Sequence, residues 1–141
     1  MLEHFPKIDH LRVQFSDVDM LRHVNNLTYL RWAETARTEY FAEVLGGQNG
    51  TAEGIILAKL EISFERQMAF REHVALGTRL HRIGTKSFQL EHEIWSTDHD
   101  HRCAHILATL VAFNYELNKT IEVPDLWRKR IAAFEATPAT P

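Results

Sequence analysis

Only one stretch of this chain carries a helical pattern long enough to cover a sheet, and four strand patterns follow it in a row. From about Asn25 to Leu45, residues Leu27, Leu30, Glu34, Phe41 and Leu45 fall on one stripe at helical spacing, and Gly46-Gly47 supplies a stop. Ahead of it, Ile8 to Phe15 alternates. Leu11, Val13 and Phe15 share one side and His10, Arg12 and Gln14 the other, as in a half-buried strand. Gly46 to Gly54 reads as a loop. The second strand, Ile55 to Arg66, places Ile56, Ala58, Leu60, Ile62 and Phe64 on one face. His73 to Ile83 does the same with Val74, Leu76 and Leu80, and Gly84-Thr85 turns the chain. Lys86 to Thr97 turns Phe88, Leu90, His92 and Ile94 inward and Gln89, Glu91 and Glu93 outward. After a polar tip at Asp98 to His101, Arg102 to Tyr115 is apolar on both faces, as in a strand covered on both sides. Asn118-Lys119 turns into a short amphipathic helix, about Asp125 to Phe134. Strands at hairpin spacing and one long helix predict an α+β layer fold: an antiparallel sheet wrapped around one long central helix, plus a short C-terminal helix. One helix cannot cover both faces and both edges of such a sheet, so a homodimer is expected.

The 141 residues suit a single domain, 1–141, with 1–6 and 136–141 as loose ends. A formal charge of −3 argues against a nucleic-acid partner held by bulk electrostatics. Cys103 is the only cysteine, so no intrachain disulfide can form, which fits a reducing cytoplasm. Met1 to Pro6 lacks the basic and apolar regions of a signal peptide, and no apolar run is long enough to span a bilayer. A cytoplasmic protein with no membrane partner is the expectation.

The chemistry-bearing stretch lies at the entrance to the long helix. Asp17 and Asp19 are two residues apart, His23 follows, and Asn25-Asn26 opens the helix. Either asparagine is a good N-cap, because its side-chain oxygen accepts from an orphan backbone N–H. The N–H groups left over make a site for developing negative charge, where a donor contributes roughly 2.7–4 kcal/mol to an oxyanion. A carboxylate folded back beside such a donor is the layout of a hydrolase. The bland alternative is a polar turn, since Asp, Asn and His are common in loops and caps.

Asp17-x-Asp19-x-x-x-His23-Val24-Asn25-Asn26-x-x-Tyr29, followed by Trp32-x-Glu34-x-x-Arg37, resembles the opening signature of the hydroxybenzoyl-CoA thioesterase family of hot-dog-fold proteins. The His-Val-Asn-Asn form is similar to that of bacterial acyl-CoA thioesterases and plant acyl-carrier-protein thioesterases. Length and element order extend the likeness over nearly the whole chain. One position departs: the plant enzymes have an Asn two residues before the His, where this chain has Leu21. The resemblance implies hydrolysis of an acyl-CoA to free acid and CoA, with Asp19 as the catalytic carboxylate and the N–H of Asn26 polarising the thioester carbonyl. Asp19 would act as nucleophile or as general base. His23 would orient the loop or a water, and Asn25 and Tyr29 would line the substrate site. Asp17 is read as structural. Glu34 either supports the Asp19 loop or pairs with Arg31, Arg37 or Thr38. The resemblance also implies an active site at a homodimer interface, as a dimer or a dimer of dimers, and no cofactor beyond the CoA of the substrate. A carrier-protein thioesterase and a non-catalytic acyl-thioester binding domain are the alternatives.

Three further groups carry suggestive residue types. Arg82, Lys86 and Ser87 surround the turn between the third and fourth strands, a cationic rim suited to CoA phosphates. Arg66 and Arg71 are weaker candidates of the same kind. Asp98-His99-Asp100-His101 with Cys103 and His105 has metal-ligand residue types at a spacing that splays them, so no metal is expected. Cys103, at the start of an apolar strand, reads as a small hydrophobe, and Glu61 and Glu65 as strand-surface charges.

Overall fold

The computed structural model describes residues 1–46 and 52–137. Six strands and two helices follow in order: β1 (Lys7–Arg12), α1 (Asn26–Leu45), β2 (Glu53–Phe64), β3 (His73–Ile83), β4 (Ser87–Ser96), β5 (His101–Asn114), β6 (Lys119–Thr120) and α2 (Asp125–Glu135). A 3-10 turn, Phe15–Asp17, follows β1. The sheet is antiparallel, ordered β1-β3-β4-β5-β2, with the two-residue β6 against β5. β3, β4 and β5 form the expected hairpins, while β2 crosses over to pair with β5 and becomes an edge. The sequence pattern shows no sign of β6, which is too short for alternation. Gly46 ends α1 at φ +69°, a conformation glycine adopts without a Cβ clash. Of the rest of the loop expected at Gly46 to Gly54, residues 47–51 lie outside the described residues, and Glu53 and Gly54 already belong to β2.

Four sequence expectations need correcting. α1 buries Thr28, Tyr29, Ala33, Ala36, Arg37, Tyr40, Val44 and Leu45 rather than the stripe through Leu27 and Glu34. The buried face is built from alanines, tyrosines and threonine, whose weak apolar signal is masked by the larger aliphatics on its flank. Phe15 is 80 % exposed, because the 3-10 turn ends the alternation of β1 at Val13. On β2, Leu57 pairs with Leu110 but Lys59 with Thr109, so Ala58 is an extra residue. That bulge reverses the phase: Ile55 and Leu57 turn towards α1 at one end, and Leu60 and Ile62 at the other. Residues 1–6 are not loose. Leu2 and Phe5 pack on the outer face of the sheet with Ala75 and Trp95. They occupy the space a side chain at Gly77 would fill, since a Cβ there would lie 2.7 Å from the Phe5 ring.

Between α1 and the sheet the core splits into two apolar clusters, one around Tyr29, Leu76, Ile94 and Ile106, the other around Tyr40, Phe88, Leu90 and Trp127. A polar row, Lys7–Thr78–His92, crosses β1, β3 and β4 at the boundary. Lys7 Nζ donates to Asp9 and to Glu39 of α1. His92 Nδ1 meets Thr78 Oγ1 at 2.9 Å, and its side chain has no exposed surface. Burial pushes the His92 imidazole down to about 3. At the far end Glu135 of α2 accepts from Tyr40 Oη (2.6 Å) and from the Leu80 amide. Burial holds its carboxyl above the usual carboxylate range.

Both groups make stability depend on pH, with opposite signs. An unfolded His92 takes up a proton near pH 6.5, and the folded one does so only near pH 3, so its contribution is present above 6.5 and lost as the pH falls between them. His92→Gln is expected to flatten the fall in melting temperature between pH 7 and 4. Glu135 has the opposite sign, its contribution fading as pH rises through its folded value. Glu135→Gln, which keeps the acceptor, should match or exceed wild-type stability at pH 8. Glu135→Ala, which strands the Tyr40 hydroxyl and the Leu80 amide, should lose about 1–3 kcal/mol in urea denaturation.

Candidate active site

The loop before α1 is held by backbone bonds to the connection between β2 and β3. Val24 N donates to Met68 O at 2.9 Å, and Val18 bridges Val24 across the loop. Asp17 is buried. Its carboxylate accepts from Gln14 N (2.7 Å), and its carbonyl accepts from Asn25 N (2.8 Å) and Thr28 Oγ1. It pins the loop to the helix start. Asp19 opens a tight turn in which Arg22 N donates to its carbonyl and Arg22 adopts φ +68°. Asp19 is exposed. Its Oδ1 accepts from Leu21 N at 2.8 Å, and Oδ2 has no hydrogen bond among the described residues.

Asn25 is the N-cap: its Oδ1 accepts from Leu27 N (2.9 Å) and its carbonyl from Thr28 N (2.9 Å). Two first-turn donors are thereby used. The Asn26 N–H has no partner among the described residues and sits at the positive end of a 20-residue helix. Asp19, His23, Asn25, Asn26 and Tyr29 line one cleft of about 360 Å³ with Phe64, Glu65, Arg66 and Gln67. The Tyr29 ring meets Phe64 edge-on at 5.6 Å and closes the inner end. The cleft is thus lined by a residue with a free carboxylate oxygen and a residue with a free backbone donor, on a loop whose geometry is fixed by Asp17 and Met68.

The β2 side of the cleft was not legible in the sequence. Phe64 to Gln67 arrive there because Cys103 forms a bulge on β5 whose carbonyl receives both Glu65 N (2.7 Å) and Arg66 N (3.1 Å). Glu65, read as a strand-surface charge, lines the cleft, but Arg102 holds its carboxylate in a two-point ion pair that lowers its pKa. Cys103 is fully buried, and burial pushes its thiol up to about 11, a state without nucleophilic thiolate at neutral pH.

Glu34 is not brought to the Asp19 loop. It lines a second hollow of about 460 Å³ further along the same α1–β2 seam, with Arg37, Thr38, Phe41, Ala42, Ile55, Leu57 and Leu110. Arg82, Lys86 and Ser87 sit at the β3–β4 turn, the end of the sheet away from Phe64. Arg82 Nε donates to Gln89 there, and Arg128 of α2 straps the turn through the carbonyls of Gly84 (2.6 Å) and Thr85 (3.0 Å). Asp98 accepts from His73 N, and His99 stacks on His101 and faces Glu72.

The fold recurs in solved proteins. A thioesterase from Thermus thermophilus, crystallised with coenzyme A and zinc, superposes with a TM-score of 0.82 at 29% identity, over 96% of this chain and 99% of that one. The PA2801 protein of Pseudomonas aeruginosa gives a TM-score of 0.80 at 26% identity, over 90% and 98% of the two chains. The gentisyl-coenzyme A thioesterase BH1999 shares the fold at 23% identity, with a TM-score of 0.77 over 89% and 99%. The hot-dog architecture expected from the motif is therefore the architecture found. The sequence model of the thioesterase-like superfamily matches residues 13–131, which take in the Asp19 loop, α1 and the sheet from β2 to β6. With that match over most of its length, the chain belongs to the thioesterase-like superfamily.

Proposed function

We propose that this protein hydrolyses acyl-CoA thioesters to a free carboxylic acid and CoA. The observation that carries the reading is the shared cleft: Asp19 and Asn26 both line it, and Asp19 Oδ2 and the Asn26 N–H are both without a partner among the described residues. The thioester carbonyl oxygen accepts from Asn26 N–H, and the helix N-terminus stabilises the oxyanion that forms on attack. Asp19 attacks the carbonyl carbon to give a mixed anhydride, or takes a proton from water as that water attacks. Either way the thiolate of CoA leaves, and on the anhydride path a water then attacks the anhydride, which releases the acid and restores the Asp19 carboxylate. His23, at the cleft wall with no side-chain hydrogen bond among the described residues, is free to orient the water. The acyl group extends past Tyr29 along the α1–β2 seam towards the hollow lined by Phe41, Ile55 and Leu57. The coenzyme A bound in the Thermus thermophilus relative supports the choice of thiol.

The outer edge of β2, which pairs with no strand among the described residues, supports a homodimer. It is 12 residues long, is interrupted by one bulge, and exposes Ile56, Leu57 and Phe64. Such an edge templates another strand unless it is covered. Antiparallel pairing of two copies would bring the β3–β4 turn of one, with Arg82, Lys86 and Ser87, to the Asp19 end of the other.

A carrier-protein thioester is the second reading. It is favoured by Arg12, Arg22, Arg66 and Arg71, which are exposed around the Asp19 loop and have no ion pair among the described residues. Exposed Met20 and Leu21 beside them give an apolar contact. An acidic carrier would be drawn to such a rim.

The test is thiol release from short, medium, long and aromatic acyl-CoAs and from one acyl-carrier protein, with wild type and Asp19→Asn side by side. Wild type is expected to turn over at least one CoA ester. The variant should keep its melting temperature and lose about 10²-fold or more in kcat. Full activity in Asp19→Asn would put the chemistry elsewhere, and turnover of the carrier ester alone would favour the second reading.

A further inference from the structure

Arg37 is the one ionised group of the helix–sheet core that makes no ion pair in its own chain among the described residues. Only 8 % of its surface is exposed, and it makes no hydrogen bond or ion pair there. Burial presses the guanidinium below its usual range, and Glu34 is the only charge that opposes this. Of the other polar groups of the layer, Lys7 holds Asp9 and Glu39, while His92 is neutral, its Nδ1 engaged with Thr78 and its buried Nε2 without a partner among the described residues. A buried charge without a partner is penalised by several kcal/mol. A ligand that comes and goes would leave that penalty in the free protein, so the anion should be a permanent one.

The position of Arg37 identifies it. Tyr29 meets Phe64 at one end of the α1–β2 seam, and Phe41 lines a hollow with Ile55 at the other. α1 and β2 therefore run in opposite directions, and Thr35, midway between Tyr29 and Phe41, is level with Lys59 and Leu60 in the middle of β2. A two-fold axis that pairs the whole β2 edge with a second copy passes through that middle. It sets two α1 helices side by side and antiparallel, with the axis close to Thr35. Glu34 and Arg37 lie on either side of that point and line the same hollow, which also contains Ile55 and Leu57 of the exposed edge. In an isologous interface, residue i meets j and j meets i.

We infer that, in the dimer put forward above, Arg37 of each copy is neutralised by the partner's Glu34 across the hollow beyond the candidate active site. The inference rests on the dimer put forward under the proposed function and not on the thioesterase chemistry. It explains why Glu34 stands exposed and away from Asp19 in a single chain. It also makes the seam that would take the acyl group a product of assembly.

Glu34→Arg and Arg37→Glu test it, each giving a chain with two like charges at these positions. Wild type should be dimeric by light scattering at micromolar concentration. Each variant alone should be monomeric with a retained circular-dichroism melt, and an equimolar mixture should return to a dimer, because only across the axis do the charges then complement. Dimeric single variants would overturn the pair and leave the dimer standing, an intrachain Glu34–Arg37 contact among the causes. A mixture that stays monomeric would overturn it too, and a monomeric wild type would overturn both pair and dimer. Should either reversal fail to fold, Glu34→Gln and Arg37→Gln serve instead: at least a tenfold rise in the dimer Kd supports the pair, and an unchanged Kd overturns it. A dimer with reciprocal pairing in a protein inert on every thioester would sink only the hydrolase reading.

Discussion

A helix that starts at a buried loop has more backbone donors than its own carbonyls can use, and the disposal of those donors organises this molecule. Asn25 takes up the N–H of Leu27 with its side chain and that of Thr28 with its carbonyl. Asp17 in turn accepts the N–H of Asn25 and the hydroxyl of Thr28 through its own carbonyl, and Gln14 N through its carboxylate. What is left over among the described residues is one N–H, at Asn26, a residue that lines the cleft. The Asp19 turn is hung between the same anchors, so a free carboxylate oxygen and a free donor are held in fixed relation by bonds that neither makes itself.

The sheet provides the opposite wall by giving up regularity. Extra residues at Ala58, His81 and Cys103 interrupt the ladders of β2, β3 and β5. Each bulge adds local twist and bend, which lets a sheet of this width curl around a single helix. The bulge at Cys103 does more, because its carbonyl draws Glu65 and Arg66 round to the cleft. On the outer face the curl brings Arg79 and His105 onto Glu91, and Arg102 onto Glu93, so these two carboxylates, which point away from α1, are nonetheless largely buried. The small residues Ala33 and Ala36 let the helix sit close against this curve.

Local chemistry was read correctly wherever it is decided within a few residues. A cap at the Asn25-Asn26 pair, a stop at Gly46-Gly47, the hairpins β3–β4–β5 and the inward set Phe88, Leu90, His92 and Ile94 all follow from periodicity and from residues whose preferences are steric or short-range, and the structure puts the cap on Asn25 and the helix end at Gly46. Readings that needed the strength of a pattern to name a buried face went astray. On α1 the buried stripe of Ala, Thr and Tyr is less apolar than the flank carrying Leu27 and Phe41. On β2 a single bulge inverts the alternation, and nothing in the residue types announces it.

From its sequence alone, this protein is a one-helix, antiparallel-sheet chain with a carboxylate a few residues before a capped helix start, because helix caps, turns and alternation are local properties of the backbone. Only the tertiary structure decided that Phe64 to Gln67 face Asp19, that Glu34 does not, that the cationic β3–β4 turn lies at the other end of the sheet, and that Arg37 is buried without an anion. Each of these depends on which strand pairs with which and on where a ladder slips by one residue. Those are outcomes of packing among segments tens of residues apart, and no window of sequence contains them.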